Sequence, residues 1–181
     1  MISSYRTRNY FYISLILFFT SLSGCNATKT VFYKPPDKKI AKYQIIEIPD
    51  FNKTDKEWVP YDSGSQIPDM VVERLRADGY FNEIRRSRSD GASDGRVLLV
   101  EGTVTGYKPG CKLCEWYIRI NDKGKSSVSV RVKLVDKATG DVIADASIEG
   151  RAKKPGYGKS RYIRIADEIA RLIENLGNQR L

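Results

Sequence analysis

Residues 128–134 read Val128, Ser129, Val130, Arg131, Val132, Lys133, Leu134. Apolar and polar side chains alternate without a break, and successive side chains of an extended chain point to opposite faces. The segment is therefore expected to be a strand that buries one face only. No other feature restricts the fold as much, because it demands a sheet with one covered and one open face. A second stretch, Val97-Leu98-Leu99-Val100-Glu101-Gly102-Thr103-Val104, is almost continuously apolar. That is the pattern of a central strand buried on both faces.

The remaining elements arrange themselves around these two. Ile45, Ile46 and Ile48, closed by Pro49, form a β-branched run that reads as the opening strand. Residues 50–64 are loop-like. Ile67, Met70, Val71 and Leu75 then recur at spacings of three and four, one face of a helix. Pro68 is expected in its first turn, Ser65 as its cap and Gly79 as its stop. Residues 81–84 suggest a short second strand, and 85–96, with four arginines, a loop. Trp116, Tyr117, Ile118 and Ile120 resume strand character. Lys137-Ala138-Thr139-Gly140 is a hairpin turn, and a return strand runs from Val142 to about 152. The last element is a helix with Ile165, Ile169, Leu172 and Leu176 on one face, capped by Ser160 and ended by Gly177.

The expected fold class is α/β of the α+β kind: a mixed sheet of about five strands with two amphipathic helices on one face. The strand–helix–strand unit should be parallel with a right-handed crossover, and the later strands an antiparallel meander.

The amino-terminal segment is of a different kind. Arg6 and Arg8 precede an apolar run of roughly 13 residues, shorter than the ~20 a spanning helix needs. The run ends in Leu22-Ser23-Gly24-Cys25. This layout resembles a bacterial lipoprotein signal peptide with its lipobox. The resemblance implies that residues 1–24 are removed. It also implies that Cys25 receives a diacylglyceryl group and an N-acyl chain, anchoring the protein in the lipid bilayer. No other cofactor is implied. Asn26 after the cysteine, rather than an aspartate, implies outer-membrane placement facing the periplasm by similarity to enterobacterial sorting. Residues 25–42, with Pro35, Pro36 and several lysines, read as a lipidated polar tether. Val31-Phe32-Tyr33 interrupts it, and is expected to dock on the domain or dip into the membrane interface. Residues 43–181 form a single domain.

Charge and residue usage narrow the function. Removing Arg6 and Arg8 with the leader leaves 29 basic against 22 acidic residues, a net of +7. That suits a neighbourhood of anionic headgroups or glycans, and export argues against nucleic acid. The chain has no histidine. Ser-His-Asp and Cys-His catalysis, histidine metal sites and the usual neutral-pH switch are therefore excluded.

Several segments resemble an uncharacterised family of small bacterial lipoproteins carrying a domain of unknown function. They are Ile45-Ile46-Glu47-Ile48-Pro49-Asp50-Phe51, Leu75-Arg76-Ala77-Asp78-Gly79-Tyr80-Phe81, Val100-Glu101-Gly102-Thr103-Val104 and Val132-Lys133-Leu134-Val135-Asp136-Lys137-Ala138-Thr139-Gly140. More distantly, the layout is similar to the curli-secretion lipoprotein, the lipoprotein activators of penicillin-binding proteins and the amino-terminal domain of TolB. The resemblance implies an accessory or assembly protein, with no catalytic residue to carry over.

Cys111-Lys112-Leu113-Cys114 is the one constellation able to carry chemistry. In an oxidising periplasm the pair is expected to staple a loop as a disulfide. Thiol-redox chemistry and zinc are the alternatives; zinc would need two further ligands. Gly156-Tyr157-Gly158-Lys159-Ser160 invites a phosphate-loop reading, but Lys153 stands where the leading glycine is required. Lys153, Lys154, Lys159, Arg161 and Arg164 are candidates for a basic contact with a partner or anionic surface, against a plain solvated face. Asp136, Asp141 and Asp145 read as turn residues rather than a calcium site. Trp58, Tyr61, Trp116 and Tyr117 divide between exposed contacts and core.

These observations point to a non-enzymatic, membrane-anchored periplasmic lipoprotein that binds an envelope protein partner in assembly or secretion. A redox or metal protein using Cys111 and Cys114, or a glycan-binding module, are the alternatives.

Overall fold

The computed structural model describes residues 28–36, 43–54, 62–79, 81–88, 96–110, 125–152 and 159–177. The elements are β1 (Thr28–Lys34), β2 (Ile45–Glu47), β3 (Asn52–Lys53), α1 (Ser63–Asp78), β4 (Glu83–Arg85), β5 (Val97–Lys108), β6 (Ser127–Asp136), β7 (Val142–Arg151) and α2 (Lys159–Gly177). The strands form one seven-stranded mixed sheet in the order β1-β7-β6-β5-β2-β4, with β3 also pairing β5. The β2–α1–β4 unit is parallel, and β2 also runs parallel to β5. From β5 through β6 to β7 the sheet is an antiparallel meander.

Alternation decides which face is covered. Val128, Val130, Val132 and Leu134 of β6 are all buried, and the register sets them beside Gly150, Ile148, Ala146 and Ala144 of β7 in turn. Leu98, Val100 and Val104 of β5 continue the same face. Ile67, Val71 and Leu75 of α1 and Ile165, Ile169 and Ile173 of α2 close over it. The helices also pack on each other, and Arg74 reaches Asp167 across their outer sides at 2.7 Å.

Phe51 is the wedge that seats α1. Its ring lies so close to Gly102 that a Cβ there would meet ring carbons at 2.3–2.5 Å. Its amide donates to the Gly64 carbonyl at 2.8 Å. That carbonyl is available because the partner it would have in the helix, the amide of residue 68, is a proline without an N–H. Pro68 is thus not in the first turn, as its position suggested, because the helix starts earlier, at Ser63 after Asp62. Ser65 does not cap it either; its hydroxyl donates to the Asp62 carbonyl from inside the first turn. Gly79 ends α1 at φ 66°, as expected for a left-handed stop.

The other turn expectations divide. Asp136 Oδ1 accepts the amides of Ala138 and Thr139, and Gly140 takes φ 74°, so residues 137–140 are the hairpin turn. The buried Tyr43 hydroxyl donates to Asp136 Oδ2 at 2.6 Å. Burial, and then the carboxylate it donates to, raise the phenol above its ordinary range. Asp145 is not in the turn; it pairs with Arg131 across the sheet. Ser160 lies inside α2, which begins one residue earlier.

Residues 28–34 require a correction. They are not tether but β1, antiparallel to β7 from Thr28↔Gly150 to Lys34↔Asp145. β1 and β3 raise the strand number from about five to seven. Trp58, Tyr61 and the expected strand around Trp116 lie outside the described residues.

Candidate functional site: the uncovered sheet face

The same period of two that buries Val128–Leu134 turns Arg131 and Lys133 away from the helices. Their register partners on β5 are Thr103 and Glu101, and on β7 Ser147 and Asp145. Around Glu101 and Thr103 the face opposite the helices therefore carries rows of hydroxyls and charges, while Val97 and Leu99, on the same face toward the start of β5, are buried. Pro49, Asp50, Asn52 and Arg88 stand beside these rows and help shape a hollow of about 490 Å³. Asp50, Asn52, Arg88, Glu101, Thr103, Thr105, Arg131 and Lys133 contribute to its lining.

The charges in and beside the hollow are held in place. Arg131 donates through Nε and Nη2 to both oxygens of Asp145, at 2.9 and 2.7 Å. This two-point bond holds the Asp145 carboxyl below the ordinary carboxylate range and raises Arg131. The Tyr33 ring lies 4.8 Å from the Arg131 guanidinium carbon. Arg88 lies 3.4 Å from Glu101. Arg86 fixes the rim by donating to Asp50 and Asp69 at 2.6 Å each, to the Ile48 carbonyl at 2.8 Å and to the Ser65 carbonyl at 3.1 Å. One planar guanidinium thus joins α1 to the segment after β2.

At the end of this face sits a buried ion group. Glu47 of β2 is fully buried. Lys137 Nζ donates to both of its oxygens, at 3.0 and 2.8 Å, and Arg85 lies at 3.6 Å. Arg85 in turn binds Glu83, whose carboxyl it holds low. The group ties the hairpin turn to the parallel end of the sheet.

Cys25, Cys111, Cys114, Lys153 and Lys154 lie outside the described residues. The described members of the basic group do not act together. Lys159 is exposed and Arg164 half-buried. Arg161 is only 7% exposed. Its guanidinium lies between the rings of Tyr107 and Tyr162, at 4.8 and 5.1 Å, and Nη1 donates to Ser126 Oγ at 2.8 Å. Arg161 therefore packs between α2 and the sheet. The spacing of four between 161, 165 and 169 carries that information. Among the described residues no group of three metal-ligating side chains occurs, and no helix is long and apolar enough to cross a membrane.

Solved structures supply the comparison for this architecture. PelC from Paraburkholderia phytofirmans, described as a dodecamer, superposes with a TM-score of 0.56 at 14% identity, covering 84% of this chain and 99% of that one. A single-substitution variant of that dodecamer gives 0.53 at 15% identity, with the same coverage. The chain shares its fold with PelC. The DUF330 protein XCC0632 from Xanthomonas campestris gives 0.48 at 11% identity, covering 81% of this chain and 90% of that one. Lipoprotein GNA1162 from Neisseria meningitidis gives 0.38 at 13% identity, covering 75% and 98%. No protein-family model matches the chain, and no curated protein matches it.

Proposed function

We propose that this chain is a bacterial envelope lipoprotein, acylated at Cys25 and held at the outer membrane on the periplasmic side. Its domain binds a protein partner in envelope assembly or secretion through the uncovered sheet face, without enzymatic activity. The observation that carries the reading is Leu22-Ser23-Gly24-Cys25 behind a short apolar run. The uncovered face supports it, because its ion pairs are fixed in advance and present charges and hydroxyls at a set spacing. Such a surface favours selectivity for a complementary partner over raw affinity. The chain has no histidine, which removes histidine-dependent acid–base and nucleophilic catalysis.

A second reading is that the partner is another copy of this chain. The likeness to PelC favours it, because that protein is described as a dodecamer.

Cys25→Ser tests the anchor. Labelling by a fatty-acid probe should vanish, and the protein should leave the membrane fraction. Undiminished labelling of the Ser variant would contradict the anchor assignment.

A further inference from the structure

The acylated cysteine and the first strand stand very close in the chain. Only Asn26 and Ala27 separate Cys25 from Thr28, the first residue of β1. Three residue steps span at most about 11 Å. An acyl anchor at Cys25 therefore keeps the start of β1 near the headgroup layer, a zone roughly 5–8 Å deep on each side of the hydrocarbon.

β1 has the surface for that position. Four large hydrophobic side chains are exposed among the described residues, and three are consecutive on this strand: Val31 and Phe32 at 44% and Tyr33 at 62%. The fourth, Ile163, is on α2. Val31 stands opposite Ser147 and Phe32 opposite Ala146, so the two point to opposite faces of the sheet. The register shifts between Phe32 and Lys34, and the Tyr33 ring lies over Arg131. The edge is thus apolar on both sides. Lys29 and Lys34 flank it, and the Lys34 ammonium donates to the Val142 carbonyl. Lysines on an edge strand discourage pairing with a further strand and favour anionic headgroups. The outward backbone groups of an edge keep it out of the hydrocarbon, which leaves the interface, where tyrosine is also favoured.

We propose that the β1 edge is a membrane-docking surface. Val31, Phe32 and Tyr33 rest in the anionic headgroup interface of the bilayer that holds the anchor, fixing the domain's orientation on the membrane. The proposal rests on acylation of Cys25. It makes β1 the second contact with the membrane, and the uncovered face and helices are held at a set angle to it.

The test places the photocrosslinker p-benzoylphenylalanine at Phe32 in the full chain, purified from membranes. The protein is reconstituted in vesicles of phosphatidylethanolamine and phosphatidylglycerol. Intact mass reports the acyl chains before irradiation. The expected result is a phospholipid adduct, roughly ten-fold more abundant than with the crosslinker at exposed Glu73 on α1, given interfacial burial of the strand. A mass without acyl chains overturns the lipoprotein reading and this proposal with it. Acylated protein that yields no phospholipid adduct, or an adduct with a second copy instead, overturns the docking proposal alone.

Discussion

Replacing Lys137 with Met is expected to destabilise the domain by about 3–5 kcal/mol, the usual effect of removing one partner from a buried ion pair. The reason lies with Glu47, which is fully buried and receives two bonds from Lys137. A carboxylate out of water is stable only where cations and donors replace its hydration. Arg85, a second cation beside Glu47 among the described residues, is farther, at 3.6 Å, and already engaged by Glu83. It offsets part of the loss and places the expectation near the lower end of the range. Replacing both partners separates charge from packing. Glu47→Leu with Lys137→Met should recover most of the stability, because an apolar pair of similar volume removes the need to desolvate charge. Urea unfolding at neutral pH measures both. A Lys137→Met midpoint matching the wild type would show that the pair does not hold the hairpin to β2.

The second large effect is expected at Gly150. A Cβ there would stand 2.5 Å from the Arg161 carbonyl oxygen and 2.6 Å from Ile165 Cγ1. The first obstacle is the backbone of α2, which cannot rotate aside as a side chain can. Gly150→Ala must push the helix off the sheet, and the Arg161 contacts with Tyr107 and Ser126 with it. Overpacking of this kind costs about 1–3 kcal/mol, and the backbone obstacle places Gly150→Ala at the upper end. Gly79→Ala is the control. Nothing lies within 4 Å of its Cβ, so only the left-handed backbone at φ 66° opposes it, a penalty of about 1–2 kcal/mol. Equal losses at the two positions would show that α2 yields easily and that close packing on β7 is not required.

The parts of the fold that were legible are those where one physical rule dominates. Strict alternation in 128–134 identified both the buried face and, through Arg131 and Lys133, the uncovered one. The spacing of Ile165 and Ile169 identified the sheet side of α2. The Lys137-Ala138-Thr139-Gly140 turn was legible because Asp136 and a left-handed glycine leave few other conformations.

Other features depended on partners distant in the chain. Thr28–Lys34 has β-branched and aromatic residues, but the following prolines and lysines resemble a solvated tether. It becomes a strand because β7 offers it an edge. Pro68 appeared to mark a first turn because local rules do not contain Phe51, whose amide takes the carbonyl that Pro68 leaves available. Arg161 appeared among surface basics because charge outweighed spacing; two tyrosines and Ser126 receive it inside. Glu47 gave no local sign of its role, since Lys137 is 90 positions away. The site was therefore legible as a face, while its ion pairs were not.

In the proposed function, an anchored domain meets its partner through the uncovered sheet face. The most direct measurement is in-cell photocrosslinking from Thr103 in the acylated protein, followed by affinity purification and mass spectrometry. The expected result is a discrete adduct with one envelope protein, or with a second copy, that is lost when Arg88 and Lys133 are both changed to Glu. Background lipoproteins and lipid alone, unchanged by those substitutions, would contradict it.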